Sequence, residues 1–272
     1  MDMDTSYRHY ESSQYAVSDT WKAAIGLQQV DGLTPSKYLY QLADENINGK
    51  LTFQEIEELL YDYHKDDSHS DTKEADIVSK RIAEILSEPA FSFRPTTMVS
   101  IHNHLFKDIM PYAGKIRTVN LTKQEPVLNG NTVSYANYSD IQINMQYDFE
   151  TEQKTDYSKF SQEQMISHIA AFTRNIWQTH PFMEGNTRTT AVFMEKYLNT
   201  IGFSIDNSLF ADKSQYFRNA LVRANYADYS KGIYETTEYL EKFYHNLLFN
   251  GQHTLTNKEL ICFQLFEKRD GL

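Results

Sequence analysis

The chain has 272 residues, and its 26 lysines and arginines against 37 aspartates and glutamates give a formal net charge of −11. This acidic balance argues against a nucleic-acid-binding surface, because contacts to phosphates need a basic face. A single cysteine excludes an intrachain disulfide, and no apolar run approaches the length of a membrane span. The acidic first residues do not resemble a signal peptide, so we expect a protein of the bacterial cytoplasm.

Residues 1–68 are predicted to form a small helical unit. Apolar spacing predicts three helices, at 19–30, 35–46 and 53–63. Thr34 is the predicted cap of the second helix, and Thr52 with Glu55 forms a capping box for the third. The stretch from Asp44 to Glu55 also fits the EF-hand pattern, but a lone loop favours a helix boundary over a calcium site. The polar stretch that follows the third helix predicts a linker.

Residues 69–272 are predicted to form a larger helical domain with one β signal. Helices are predicted at 71–87, 97–106, 138–153, 161–179, 185–201, 214–225, 234–250 and 256–266. Between the second and third of these, Val127 on one side of an Asn129-Gly130 turn faces Thr132 and Val133 on the other. Such a turn between apolar runs predicts a β-hairpin.

The most informative stretch is His180-Pro181-Phe182-Met183-Glu184-Gly185-Asn186-Thr187-Arg188, followed by a helical pattern. A glycine turn that leads into a helix N-terminus favours anion binding, because the first N–H groups have no partners within the helix. Arg188 adds a charge-assisted contact to phosphate, Glu184 is a candidate cation ligand, and His180 is a candidate general base. Together these groups suit the transfer of a phosphate-containing group.

This stretch resembles the motif of the Fic family, His-Pro-Phe-x-Asp/Glu-Gly-Asn-x-Arg. The resemblance implies an all-α core with one β-hairpin flap, and transfer of AMP from ATP to a hydroxyl of a target protein or of the chain itself. It implies that His180 is the base, that Glu184 holds Mg²⁺ or Mn²⁺, and that Phe182 anchors the loop. The implied nucleotide-binding residues are Gly185, Asn186, Thr187 and Arg188, with Tyr216 and Asn219 near the base.

The same resemblance implies that a target segment adds as a strand to the flap at Val127, Thr132 and Val133. Two positions depart from the family pattern: Thr187 stands where adenylylating members have Gly and kinase-like Doc members have Lys, and Ala191 stands where many members have a second arginine. A Doc-like kinase, transfer of another phosphate-containing group and a non-catalytic peptide-binding module therefore stay open as alternatives. The oligomeric state is also left open.

The segment from Trp21 to Tyr63 resembles the VbhA-type antitoxins that partner Fic toxins. In these antitoxins a glutamate on an inhibitory helix pairs with the second arginine of the Fic motif. Asp31 is the matching residue here, and Ala191 gives it no charge partner, so Asp31 is expected either to pair with Arg188 or to remain in solvent. The alternative is that this segment is only a structural extension.

Overall fold

The structure is a computed structural model that describes residues 14–205 and 207–266, and its regular elements are helices. Within this range the strand-like pairing is one isolated bridge between Asp228 and Ile233. The α-helices are α1 (Gln14–Gly26), α2 (Lys37–Ile47), α3 (Phe53–Tyr63), α4 (Lys73–Ser87), α5 (Pro95–Phe106), α6 (Ile141–Gln153), α7 (Gln162–Thr179), α8 (Asn186–Thr200), α9 (Ser208–Ala224) and α10 (Glu238–Phe249). The predicted all-α fold class is confirmed. No helix in the described part of the chain is both long and apolar enough to cross a membrane.

The centre of the fold is α8. Every residue from Asn186 to Leu198 is buried, including polar side chains such as Thr189 and Glu195. Helices α4, α5 and α7 pack around it. Because α8 is enclosed on all sides, the loop at its N-terminus has a rigid base, which is the requirement for positioning reactive groups.

Helix α1 packs against α4 and α9, with Trp21 fully buried. The predicted helix at 19–30 ends earlier than expected, at Gly26, and continues as a 3₁₀ turn over Leu27–Asp31. A Cβ atom on Gly26 would lie 2.3 Å from the Cα of Ala211 in α9, so the glycine permits this close approach. The 3₁₀ turn carries Asp31 to the N-terminal end of α8.

The capping box predicted at Thr52 with Glu55 is confirmed, and Ser161 with Gln164 forms a second one at the start of α7. The predicted cap of α2 is wrong: Ser36, not Thr34, accepts the hydrogen bond of the first turn. Part of the predicted linker forms a 3₁₀ turn, Asp67–Thr72. The Glu55 carboxylate accepts from the Thr52 backbone and hydroxyl, which is the helix-boundary role that the sequence favoured.

A buried hydrogen bond joins α3 to α4. His64 at the end of α3 lies 3.0 Å from the Asp76 carboxylate of α4, and both side chains are fully buried. The other Asp76 oxygen accepts from the Ser36 backbone at the start of α2, at 2.7 Å. These contacts hold the N-terminal helices in one position relative to α4.

The predicted β-hairpin is not present as paired strands. The Asn129-Gly130 turn is correct, because both residues have positive φ and the Asn131 N–H donates to the Leu128 carbonyl, as a type I′ turn requires. The segment before it, Pro126–Leu128, is a 3₁₀ turn rather than a strand. Val127 and Leu128 are consecutive residues and both are buried in the core. In a hairpin with one solvent-facing side, successive side chains point to opposite faces, so one of the two would be exposed. We keep the name flap for residues 117–136.

The helix predicted at 256–266 is wrong. Two 3₁₀ turns, Asn257–Leu260 and Phe263–Leu265, occupy this range. Between them the Cys262 N–H donates to the Val127 carbonyl of the flap at 2.9 Å, so the backbone is used for a tertiary contact instead of a helical one. The C-terminal segment therefore braces the flap.

Candidate active site

The loop between α7 and α8 has two residues with left-handed backbone conformation. His180 follows α7 with φ 46°, and Gly185 precedes α8 with φ 74°. The Arg117 guanidinium fixes the first of these, since it donates to the His180 carbonyl at 2.7 Å and to the Thr179 carbonyl at 3.4 Å. The Arg117 N–H also donates to the Pro181 carbonyl. One buried arginine of the flap thus sets the path of the loop.

The interior of the loop is held by two polar side chains. Asn186 accepts from the Phe182 N–H and donates to the Phe182 carbonyl, so it closes the loop on itself. His102 of α5 accepts from the Gly114 N–H and donates to the Glu184 carbonyl, and its ring stacks on Phe182 at 3.8 Å. Burial lowers the pKa of His102 to about 4, so this ring is neutral, as the bond from Gly114 requires.

The His180 imidazole is buried and has one nitrogen without a partner among the described residues. Nδ1 lies 3.2 Å from the Trp177 carbonyl. Because a carbonyl only accepts, this contact places the proton on Nδ1 and leaves a lone pair on Nε2, the unpartnered nitrogen. Burial, and next the charge of Lys123, lower the pKa of His180 well below its usual value. The ring is therefore a neutral base at neutral pH.

A cavity of about 670 Å³ opens beside this loop. Its charged lining residues are three cations and three carboxylates, Lys123, Arg188, Arg218, Asp31, Glu74 and Glu184. His180 does not line the cavity. The ring of Tyr135 packs against its imidazole at a centroid distance of 4.0 Å. The base therefore packs against an aromatic ring, and the cavity beside its loop is lined by charged residues.

Arg188 contacts groups from three other segments. Its Nη2 lies 2.7 Å from Glu74 of α4, and its Nη1 donates to Gln28 at 2.9 Å. Its Nε lies 2.8 Å from Asp31 as an ion pair, without the alignment of a hydrogen bond. The guanidinium also lies over the Phe106 ring at 4.8 Å. Only 2% of the Arg188 side chain is exposed, and two carboxylates pair with this one buried cation, which lines the cavity.

Glu184 is the half-exposed carboxylate of the loop. Its Oε2 lies 2.6 Å from the Lys123 ammonium of the flap. Within the described residues there is no group of three or more His, Cys, Asp and Glu side chains that could hold a metal by themselves. Mg²⁺ commonly takes one or two carboxylates and completes its shell with water and phosphate oxygens. A lone accessible carboxylate that already attracts a cation fits this kind of site.

Comparison with known proteins identifies the domain. A model of the Fic/DOC family matches residues 92–198, which include α5, α6, α7, the loop and most of α8. Residues 92–198 form a Fic/DOC family domain. The matched range begins after α4, so it does not cover the predicted antitoxin-like unit, which stays a prediction.

A related sequence and a solved structure are similar to this Fic domain. A probable protein adenylyltransferase of Sinorhizobium fredii is 27% identical over 125 residues, covering 46% of this chain and 62% of that relative. The crystal structure of the N-terminal Fic domain of an effector protein from Bartonella sp. AR 15-3 superposes with a TM-score of 0.51 at 19% identity, covering 65% of this chain and 81% of that one. The first supports a transferase at family level, and the second supports the Fic-like helical fold.

The Fic domain brings most of the predicted site residues together. His180, Glu184, Gly185, Asn186 and Arg188 all lie on the loop or in the first turn of α8. Thr187 also lies in this turn, with its hydroxyl accepting from the Trp177 indole at 3.0 Å, so the side chain is used in packing. Only its backbone N–H points to the N-terminal end of the helix.

The other predicted residues lie further from the cavity. Tyr216 is buried and donates to the Tyr239 carbonyl, and Asn219 donates to Asn257. The residues of α9 that line the cavity are their neighbours Gln215 and Arg218. Contact of Tyr216 and Asn219 with a nucleotide base stays a prediction.

The predicted target-binding residues of the flap are mostly internal. Val127 and Val133 are buried with exposed fractions of 6% and 1%. Thr132 is half-buried, and its hydroxyl accepts from the Lys123 N–H at 3.1 Å. Side chains at these positions therefore shape the flap, and docking of a target along it stays a prediction.

Several residues that build the site carry no motif. Glu74 and Gln28 reach Arg188 from segments outside the matched range, and Lys123 reaches Glu184 from the flap. Arg117 and Tyr135 hold and cover His180. The sequence offers one signal for these residues, which is that a buried arginine requires a partner of opposite charge. A carboxylate near Arg188 could therefore be expected, but the sequence does not show which carboxylate of the chain it is.

Gly185 offers a direct test of the loop geometry. A Cβ atom here would lie 2.4 and 2.5 Å from two carbons of the Phe106 ring, and its φ of 74° also disfavours a side chain. We expect Gly185→Ala to lower the free energy of unfolding by about 1–3 kcal/mol for the clash, in addition to about 1–2 kcal/mol for the backbone. Urea unfolding measures the change.

The matched control is Gly232→Ala. Gly232 has φ 68° and nothing within 4 Å of a Cβ atom, so it isolates the backbone cost. Equal losses in the two variants would contradict the close packing of the loop on Phe106.

Proposed function

We propose that this protein is a protein adenylyltransferase, which transfers AMP from ATP to a Ser, Thr or Tyr hydroxyl of a target protein, self-modification included. The observation that carries the proposal is the position of His180. His180, with its unpartnered Nε2, begins the loop that leads directly into α8. The N-terminus of a helix is a feature that binds anions. A base next to a phosphate-binding helix end is what attack on a phosphate by a hydroxyl needs.

In the proposed reaction the target hydroxyl oxygen attacks the α-phosphorus and a new P–O bond forms. The hydroxyl proton passes to His180 Nε2, and the bond between the α-phosphorus and the bridging oxygen breaks, so that pyrophosphate leaves. The protein contributes position and charge and forms no covalent intermediate. Because His180 Nε2 is buried, the side chains around it must move before the target hydroxyl can reach it.

The proposed nucleotide contacts follow from the cavity. The first N–H groups of α8, at Asn186 and Thr187, face the phosphates, and Arg188 contacts their outer oxygens. Glu184 would hold Mg²⁺ or Mn²⁺, which supplies positive charge to the phosphates when bound. The target segment docks as an extended chain beside the flap, near the exposed turn at Asn129 and Gly130.

The phosphate that is transferred distinguishes an adenylyltransferase from a kinase. A Doc-like kinase would transfer the γ-phosphate, and Thr187 replaces the lysine of that group. Incubation of the full chain with Mg²⁺ and ATP labelled with ³²P at either the α- or the γ-phosphate decides between them. We expect covalent label on protein from the α-labelled nucleotide alone. Label from the γ-phosphate alone would establish the kinase and overturn the proposal.

The pH dependence of transfer tests the state of the base. Burial and the nearby cations Lys123, Arg117 and Arg218 lower the pKa of His180, and the rings of Tyr135 and Trp177 enclose it. A lowered pKa keeps the imidazole neutral as the pH falls through 6.5, so the transfer rate should stay level there and decline only at more acidic pH. A pH–rate profile measures this, and an inflection near 6.5 would contradict it.

The same shift affects stability with the corresponding sign. Below the ordinary pKa of 6.5, the unfolded chain takes up a proton at His180 and the folded chain does not. Protonation of the unfolded chain therefore lowers the free energy of unfolding as the pH falls below 6.5. Above that pH this group causes no such loss.

A further inference from the structure

Lys123 of the flap forms an ion pair with Glu184 of the loop between α7 and α8. Its Nζ lies 2.6 Å from Glu184 Oε2, with 23% of its own side chain and 50% of the Glu184 side chain exposed. Both residues line the cavity, and Lys123 lies outside the stretch from His180 to Arg188. The contact spans 61 positions of the chain, so the fold creates it.

The backbone of Lys123 is anchored, and its long side chain reaches from the flap to Glu184. Its N–H donates to the Thr132 hydroxyl at 3.1 Å, and that hydroxyl donates to the Val133 carbonyl. The turn at Asn129 closes this part of the flap. A long stem on a fixed backbone lets the ammonium move by a few ångströms without a change in the fold.

The Lys123 ammonium lines the cavity beside the metal-ligand candidate. It lies 2.6 Å from the Glu184 carboxylate, and its positive charge is among the causes of the lowered pKa of His180. In the proposed reaction the phosphate under attack lies close to Glu184 and His180, since the base and the metal act on the same group. A cation in this place is positioned to bind a phosphate oxygen.

The remaining cations of the cavity are less available. Arg188 is shared between Asp31 and Glu74, and Arg218 is paired with Glu125, whose side chain is fully buried. Ala191, one turn after Arg188, is buried and adds no charge. Lys123 differs from the two arginines because its partner is the half-exposed carboxylate that is proposed to take a divalent cation.

We propose that Lys123 is a catalytic residue of this site, which binds a phosphate oxygen of the nucleotide and holds Glu184 when no divalent cation is bound. This inference rests on the proposed function. It gives Lys123 the charge that position 191 lacks. It also makes Lys123 and a divalent cation competitors for the Glu184 carboxylate.

Binding measurements on the full chain test this without any transfer. The probe is α,β-methylene-ATP, measured by calorimetry with EDTA and then with Mg²⁺, for wild type, Lys123→Met and Lys123→Arg. We expect Lys123→Met to weaken binding about 10- to 100-fold in EDTA, the value of one charge-assisted contact, and Lys123→Arg to restore most of it. Mn²⁺ alone, followed by electron paramagnetic resonance, should bind more tightly to Lys123→Met, because Glu184 is freed.

Lys115→Met is the matched control. Lys115 is exposed, its ammonium donates to the Pro111 carbonyl, and it should leave every one of these values unchanged. Wild-type affinity of Lys123→Met for the nucleotide would overturn the inference, as would a Lys123→Arg variant equally weak while both remain folded by circular dichroism. Failure of the α-phosphate label would overturn the proposed function, but the EDTA binding series would still report on Lys123.

Discussion

Replacing His180 with asparagine should lower the rate of transfer by about 10²–10⁴-fold, the usual effect of removing a general base. Asparagine suits this position because it accepts the left-handed backbone that His180 adopts at φ 46°. The backbone contacts from Arg117 to the carbonyls of Thr179 and His180 do not involve the imidazole and should remain. Nucleotide affinity should therefore stay close to wild type while transfer is lost.

Two measurements separate these effects. Calorimetry with α,β-methylene-ATP gives the affinity, and the initial rate of labelling from α-labelled ATP gives transfer. His253→Asn, which changes an exposed histidine outside the site, is the control for the loss of an imidazole. Transfer at the wild-type rate in His180→Asn would contradict the assigned base.

Removing both carboxylates from Arg188 should increase activity far more than removing either one. The pair Asp31 and Glu74 places two negative charges on one buried guanidinium, so these three residues together carry a net negative charge. Each carboxylate is 31% exposed, and solvent screening limits what it contributes singly. We expect Asp31→Asn to raise nucleotide affinity and transfer less than about tenfold, and Asp31→Asn with Glu74→Gln to raise them roughly 10- to 100-fold.

The control for this double variant is Glu45→Gln with Asp62→Asn. These two exposed carboxylates pair with surface lysines, and their loss makes the same change in net charge. A hundredfold activation by Asp31→Asn alone would show that Asp31 restrains the site without help from Glu74. No change in the double variant would show that Arg188 does not compete for phosphate.

The helical order and the reactive loop could be predicted because their signals are local. Capping boxes such as Thr52 with Glu55 involve neighbours in the chain, and the motif from His180 to Arg188 contains its own turn and helix start. The pairing of Asp31 with Arg188 was one of two expected outcomes, and the structure shows it.

The parts that could not be predicted depend on contacts between distant segments. Glu74 meets Arg188 across 114 positions, and no periodicity in either segment signals the pair. The flap was predicted as a hairpin because Asn129 and Gly130 form the expected turn. The burial of Val127 and the bond from Cys262 to its carbonyl prevent strand pairing there. Tertiary contacts decided the backbone at that point, as they did for the helix predicted at 256–266.

The orientation of the bound nucleotide distinguishes transfer of AMP from transfer of the γ-phosphate. A crystal structure of the Asp31→Asn, Glu74→Gln variant with α,β-methylene-ATP and Mg²⁺ would show which phosphate lies at the N-terminus of α8. We expect the α-phosphate to lie nearest His180, with the outer phosphates at Arg188. A nucleotide in the reversed orientation, with the γ-phosphate nearest His180, would contradict it.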